Sequence, residues 1–202
     1  MSKQREIEAK YLLSPAAFTA ILHDFPGKAV FTQENYYFDS ASRSLHEHMC
    51  GLRIRVLQDR AEQTLKVPDP DKVQDSYHEV LEITDPLTSQ QAQDLLAQKR
   101  PVFGGQVGRY LAEHFPDLDL VQVSWSKTRR SLLNGPQDCE LTLDETSYPD
   151  GYRDFELEIE NVSPAAISQA SAFLQDKYDF TPSRATSNQN KTDRAWQHRL
   201  PH

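Results

Sequence analysis

Residues 5–13 read REIEAKYLL, and the alternation in this stretch decides what kind of fold the chain can adopt. Glu6, Glu8 and Lys10 occupy every second position, with Ile7, Ala9 and Tyr11 between them. A period of two is that of a pleated strand, so the charges project from one face and the apolar residues from the other. An apolar strand face packs on a core, which leaves the charged face to meet water or a charged ligand.

The same alternation returns along the chain. Arg53 and Arg55 alternate with Ile54 and Val56, and Thr64 and Lys66 with Leu65 and Val67. Glu82 shares parity with Thr84, and Lys127 with Arg129; Arg130, on the opposite parity, is expected to point outward or toward a helix. Glu140, Thr142 and Asp144 alternate with Leu141 and Leu143, and Glu156, Glu158 and Glu160 with Leu157 and Ile159. With the opening stretch, strand signals at 28–40, 50–59, 62–68, 77–85, 120–133, 139–148 and 153–162 make about eight strands, separated by turn-rich links such as 68–76 and 134–138. Short links between successive strands favour antiparallel pairing.

Helix signals are fewer. Ser14-Pro15 and Ser163-Pro164 each place an N-capping hydroxyl before a proline suited to a first turn. Thr88 and Gln91 have capping-box spacing ahead of a stretch reaching roughly Lys99, and a shorter helix is expected after Gly104-Gly105. The fold class is α+β, dominated by a sheet.

With 202 residues the chain suits one large domain, spanning 1–202. The 22 Lys+Arg against 30 Asp+Glu give a net charge of -8, which argues against a general nucleic-acid or membrane-surface binder. No stretch has the apolar length of a signal peptide or membrane span, so a cytoplasmic protein is expected. Cys50 and Cys139 are expected to be free thiols. His46, His48 and Cys50 alternate in HEHMC, but they fall short of a zinc ligand set and read as a loop or strand entry.

Like charges are sorted along the strands. Glu6 with Glu8, Arg53 with Arg55 and Glu156 with Glu158 would lie ~7 Å apart on one face. A face chosen for solubility mixes signs, so this sorting implies compensating ligands. Carboxylate oxygens suit Mg²⁺ or Mn²⁺, whereas Arg and Lys suit phosphate. Both together describe a site for a metal-bound polyphosphate, and a sheet of this size can close into a barrel with the charged face inside.

In order along the chain, EIEAK, YYFD, LRIR, TLK, HEVLEIT, KTRR, ELTLDE, FELEIE and NKTDR resemble the elements of the CYTH proteins, or triphosphate tunnel metalloenzymes. The E-x-E-x-K at the start is that family's signature, and the arrangement is most similar to its compact bacterial members. The resemblance implies an eight-stranded antiparallel closed β-barrel, a tunnel with a charged lumen and helices packed outside. It implies that Glu6, Glu8, Asp144, Glu156 and Glu158 bind metal, and that Lys10, Arg53, Arg55, Lys66, Arg129 and Lys191 cradle triphosphate. Arg184 and Arg194 are alternatives to Lys191, while Glu160 and Lys127 are secondary candidates. Glu82, Lys66 and Lys10 are the candidate catalytic residues. The implied activity is Mg²⁺- or Mn²⁺-dependent hydrolysis of a triphosphate-bearing small molecule, inorganic tripolyphosphate or an organic triphosphate such as thiamine triphosphate. A CYTH-type adenylate cyclase and a non-catalytic polyphosphate or nucleotide sensor are the alternatives.

Overall fold

The computed structural model describes residues 8–68, 80–101, 104–181 and 190–200. Glu6, Arg184 and most of the expected loop at 68–76 lie outside the described residues.

Eight strands follow in chain order: β1 (Glu8–Leu12), β2 (Gly27–Asp39), β3 (Gly51–Val56), β4 (Ala61–Pro68), β5 (Val80–Leu87), β6 (Val121–Asn134), β7 (Glu140–Ser147) and β8 (Arg153–Glu160). They form one sheet in the order β1-β8-β7-β6-β2-β3-β4-β5, and every neighbouring pair is antiparallel. Most neighbours are also consecutive in sequence, as short links require; the exceptions are β1 on β8 and β2 on β6. Among the described residues no ladder joins β1 to β5. The sheet nevertheless curls enough for Lys66 on β4 to act electrostatically on Glu158 of β8.

The helices are α1 (Pro15–Asp24), the single turn α2 (Ser44–Glu47), α3 (Ser89–Ala97), α4 (Gly105–His114), α5 (Pro164–Tyr178) and α6 (Lys191–Gln197). The expected caps are present: Ser14 accepts from the Ala17 N–H, Ser163 from that of Ala166, and Thr88 and Gln91 form a capping box. Gly104 has no capping side chain, so Asp85 of β5 serves α4 instead, accepting from the N–H groups of Gln106 and Val107 at 2.9 and 2.8 Å. Gly105 is constrained twice there. Its φ is +71°, and a Cβ would lie 2.3 Å from the Asp85 carboxylate.

The apolar strand faces meet α1, α3, α4 and α5 in two cores, whereas α6 packs on the polar side, with Ala195 buried beside Tyr37 and Tyr148, which corrects the expectation that the helices lie outside. One joins Leu141, Leu143, Leu157 and Ile159 to Phe18 and Ile21 of α1 and to Ile167 and Leu174 of α5. The other joins Leu52, Ile54, Leu65 and Val67 to Ala92 of α3 and to Val107 and Leu111 of α4. Burying this face aims the polar face of each strand the other way, and that is what assembles the site. Among the described residues no helix is long and apolar enough to cross a membrane. Both cysteines are free.

Candidate functional site

Cross-strand partners share a face, so the ladders fix which side chains meet. Glu8 stands opposite Glu160 and Lys10 opposite Glu158. Glu158 stands opposite Thr142 and Glu156 opposite Asp144. Asp144 in turn faces Arg130. Beyond β2, Arg55 faces Asn35, Arg53 faces Tyr37 and Thr64, and Lys66 faces Glu82. One continuous polar face therefore runs from acids on β1, β7 and β8 to bases on β3 and β4.

The acidic half is densely paired. Arg130 donates a fork to Asp144, with Nε–Oδ1 2.8 Å and Nη2–Oδ2 2.7 Å, and a third bond to Glu158 at 3.0 Å. Lys10 lies 2.8 Å from Glu8 and 3.3 Å from Glu158. Lys191, the first residue of α6, donates to Asp144 and, at 2.5 Å, to Glu156. Arg194, one turn further on, reaches Glu156 at 2.5 Å and Asp154 at 2.7 Å, and donates to the Tyr148 hydroxyl at 3.2 Å. Asp144 is fully buried, and Glu8, Glu156 and Glu158 are each less than a tenth exposed.

Ionisation follows this pairing. Burial works to raise the Asp144 carboxyl pKa, but Lys191 and Arg130 outweigh it and hold it below the usual carboxylate range. Glu158 is driven further down by Lys10 and Arg130 against the same burial effect. Burial likewise opposes charge on Lys10, Lys191 and Arg130, yet the acids around them raise all three.

The basic half is the reverse. Burial, then repulsion from Arg53 and Arg130, brings Arg55 down to about 10, and burial with Arg53 also lowers Lys66. Counter-charges are sparse: Glu82 lies 2.5 Å from Lys66, and Glu62 lies 3.4 Å from Arg55. Asn35 Oδ1 accepts from Arg55 Nε at 3.0 Å. Burial favours protonation of Glu82, but Lys66 and Arg53 keep it below the usual range and so ionised at neutral pH. Two buried donors, Arg53 Nε and Gln33 Nε2, have no hydrogen-bond partner among the described residues. Crowded cations with orphaned donors form an environment that a polyanion would complete.

For metal, one carboxylate oxygen from each of Asp144, Glu156 and Glu158 can lie within 4.8 Å of the others, as can a second set from Glu8, Glu158 and Glu160. These all-oxygen donor sets fit Mg²⁺ or Mn²⁺. His46, His48 and Cys50 do not converge: His46 Nδ1 lies 3.0 Å from Asp193, and His48 Nδ1 is 2.7 Å from the Ser44 carbonyl.

The parity expected for β6 is corrected. Arg129 and Lys127 are exposed on the outer face, whereas Arg130 points to the acids. Thr128 opposite Thr146 and Arg130 opposite Asp144 set this register, so Arg129 does not join the other cradle candidates. Lys10, Arg53, Arg55, Lys66, Glu82, Glu8, Asp144, Glu156 and Glu158 do share the polar face. Lys191 and Arg194, weighed as alternatives, both enter the acidic half from α6. Asp154, Gln33 and Asn35 escaped the sequence reading. Asp154 shares parity with Glu156 and was findable from alternation, but Gln33 and Asn35 flank Glu34 in an all-polar run that gives no parity signal.

The CYTH domain family matches residues 4–187. A Bacillus halodurans protein described as a "putative adenylate cyclase" is 27% identical over 96% of this chain and 98% of its own, with a TM-score of 0.78. A Hippeastrum protein described as a "putative adenylyl cyclase" with a dominant triphosphatase activity is 21% identical over 97% of each chain, with a TM-score of 0.77. The PH1819 protein of Pyrococcus horikoshii is 20% identical over 86% of this chain and 88% of its own, with a TM-score of 0.52. At their level of identity the last two matches establish the fold alone. No curated protein sequence matches the chain.

Proposed function

The chain belongs to the CYTH domain family, and from that premise we propose that it is a divalent-metal-dependent triphosphatase acting on inorganic tripolyphosphate or an organic triphosphate such as thiamine triphosphate. The observation that carries this reading is the division of one polar face into a compensated acidic half and an undercompensated basic half. The reading treats residues 1–202 as one tunnel domain in which β1 and β5 complete a barrel around that face. The electrostatic reach of Lys66 to Glu158 supports such closure.

In this reading Arg53 and Arg55 grip the phosphate chain, and Lys66, steadied by Glu82, supplies a point charge. Arg130 links the two halves and takes the cradle role expected of Arg129. Lys10 holds Glu8 and Glu158 in place. Glu8, Asp144, Glu156 and Glu158, with Glu6 as a further candidate, would hold Mg²⁺ or Mn²⁺. The ion would supply charge neutralisation at the reacting phosphoryl group and activation of a water nucleophile. The largely buried walls limit contact with bulk water, which strengthens these interactions.

The test is a product assay with tripolyphosphate, thiamine triphosphate and ATP, each with Mg²⁺, Mn²⁺ or excess EDTA. Orthophosphate release that EDTA abolishes is expected, and full activity in EDTA refutes the reading. Cyclic AMP and pyrophosphate from ATP, without orthophosphate, would instead establish the cyclase alternative, which the description of the Bacillus halodurans relative favours. Tight binding with no turnover of any substrate would indicate a sensor.

A further inference from the structure

Lys191 occupies the position that the acids would offer to a metal ion. Its ammonium contacts Asp144, lies 2.5 Å from Glu156 and 3.9 Å from Glu158, and so meets all three members of one candidate metal triad. The neighbouring cations are placed differently: Arg130 reaches Asp144 and Glu158, Lys10 reaches Glu8 and Glu158, and Arg194 reaches Glu156 and Asp154. Helix electrostatics do not account for Lys191. At the N-terminal end of α6 a cation meets the positive end of the helix dipole, so the acids must be what holds it.

We propose that Lys191 is a tethered counter-ion that a divalent metal must displace from Asp144, Glu156 and Glu158, so that α6 couples metal loading to triphosphate binding. The inference rests on the metal-dependent reading above and adds an order of events to it. An ammonium and a metal ion cannot share the centre of one carboxylate triad, so free metal meets an already neutralised site. The displacement does not require α6 to leave. Arg194 anchors the helix to Tyr148 and Asp154, the Ser124 hydroxyl donates to the Ala195 carbonyl at 2.5 Å, and the Arg43 and Arg199 guanidinium groups lie over the Trp196 ring at 4.5 and 3.9 Å. The four-carbon stem of Lys191 can swing about this anchored helix. A triphosphate in the adjoining cradle offers the displaced ammonium a new anionic partner, and binding of the triphosphate thereby frees the triad for metal.

The experiment measures Mn²⁺ affinity of the full chain, by electron paramagnetic resonance of free Mn²⁺, for wild type, Lys191→Met and Lys127→Met. Lys127 lies on the outer face, and its replacement controls for the change in net charge. Without triphosphate, Lys191→Met should bind Mn²⁺ roughly 10-fold more tightly than wild type, and Lys127→Met should match wild type. A non-hydrolysable tripolyphosphate analogue should tighten Mn²⁺ binding in wild type by a larger factor than in Lys191→Met. A second measurement uses wild type alone: Mn²⁺ should raise the rate at which an amine-reactive ester labels Lys191, read by peptide mass spectrometry, and it decides the question if the variant does not fold. Mn²⁺ affinity in Lys191→Met at or below that of wild type, or labelling of Lys191 unaffected by saturating Mn²⁺, overturns the displacement while leaving the triphosphatase reading intact. Absence of Mn²⁺ binding in both proteins, with and without the analogue, overturns the metal-dependent reading itself and the displacement with it.

Discussion

Replacing Arg130 with alanine tests the register of β6 and the balance of the acidic pocket in one step. The guanidinium makes two bonds to Asp144, at 2.8 and 2.7 Å, and one to Glu158, at 3.0 Å. Asp144 is 0% exposed, so in the intact fold its carboxylate depends on protein partners. Removing one partner of a buried ion pair costs about 3–5 kcal/mol when the remaining charge is left alone. Here neither acid is left alone, because Lys191 stays on Asp144 and Lys10 on Glu158. We therefore expect a loss of about 1–3 kcal/mol, between the cost of an unmet charge and that of a single hydrogen bond. Arg129→Ala, on the outer face, should change stability by no more than about 0.5 kcal/mol. Urea denaturation followed by circular dichroism and by tryptophan fluorescence gives both values. Orthophosphate release should fall ~10²-fold or more in Arg130→Ala and stay near wild type in Arg129→Ala. Equal losses in the two variants, or a larger one at Arg129, would refute the register and the role derived from it.

Glu158→Gln should reduce metal-dependent turnover ~10²-fold or more, because that carboxylate belongs to both candidate metal sets; wild-type rates in this variant would remove Glu158 from the site. The Asp144 and Glu158 pKa values are lowered on folding, so the stability they contribute is present above about pH 4 and lost as pH falls through their folded values. Those of Lys10 and Lys191 are raised, so their contribution is present below about pH 10.4 and lost as pH rises beyond it. Melting temperature should therefore hold a plateau through neutrality and fall on both sides, and a flat profile below about pH 4 would contradict the pairing. The Lys66 pKa is lowered by burial and Arg53, so a bound triphosphate analogue should raise it again. Calorimetry on the alkaline side of neutrality in buffers of different ionisation heat should then register proton uptake, and its absence would place the ligand away from Lys66.

Strand parity was legible wherever helices cover the outer face. On β3, β4, β7 and β8 that face had to be apolar, so Arg53, Arg55, Lys66, Asp144, Glu156 and Glu158 could be assigned from alternation alone. The β6 strand broke the rule for a physical reason. Over residues 124–130 its outer face carries exposed Trp125, Lys127 and Arg129, while its inner face carries buried Ser124, Ser126 and Thr128 before reaching Arg130. With polar residues on both sides, hydrophobic alternation has nothing to sort, and only the pairing with β7 decides. At the C-terminus the missed signal was helical spacing. Lys191 and Arg194 are three residues apart, which puts both on one face of a helix and makes them partners rather than alternatives.

The division of the polar face also reconciles two opposing demands on this chain. Folding disfavours buried charge that lacks a partner, whereas a polyanion site must keep cations in excess of their counter-charges. The sheet meets the first demand on β1, β7 and β8, where Arg130, Lys10, Lys191 and Arg194 close on the acids from three directions. It concedes the second on β3 and β4, where burial, together with repulsion from Arg53, keeps the Arg55 and Lys66 pKa values lowered. Because Arg130 touches the acids and also acts on Arg55, a ligand charge entering either half alters the electrostatic balance of the other. Metal and triphosphate would then stabilise the same native sheet through different strands, each lowering the cost that the other's partners impose.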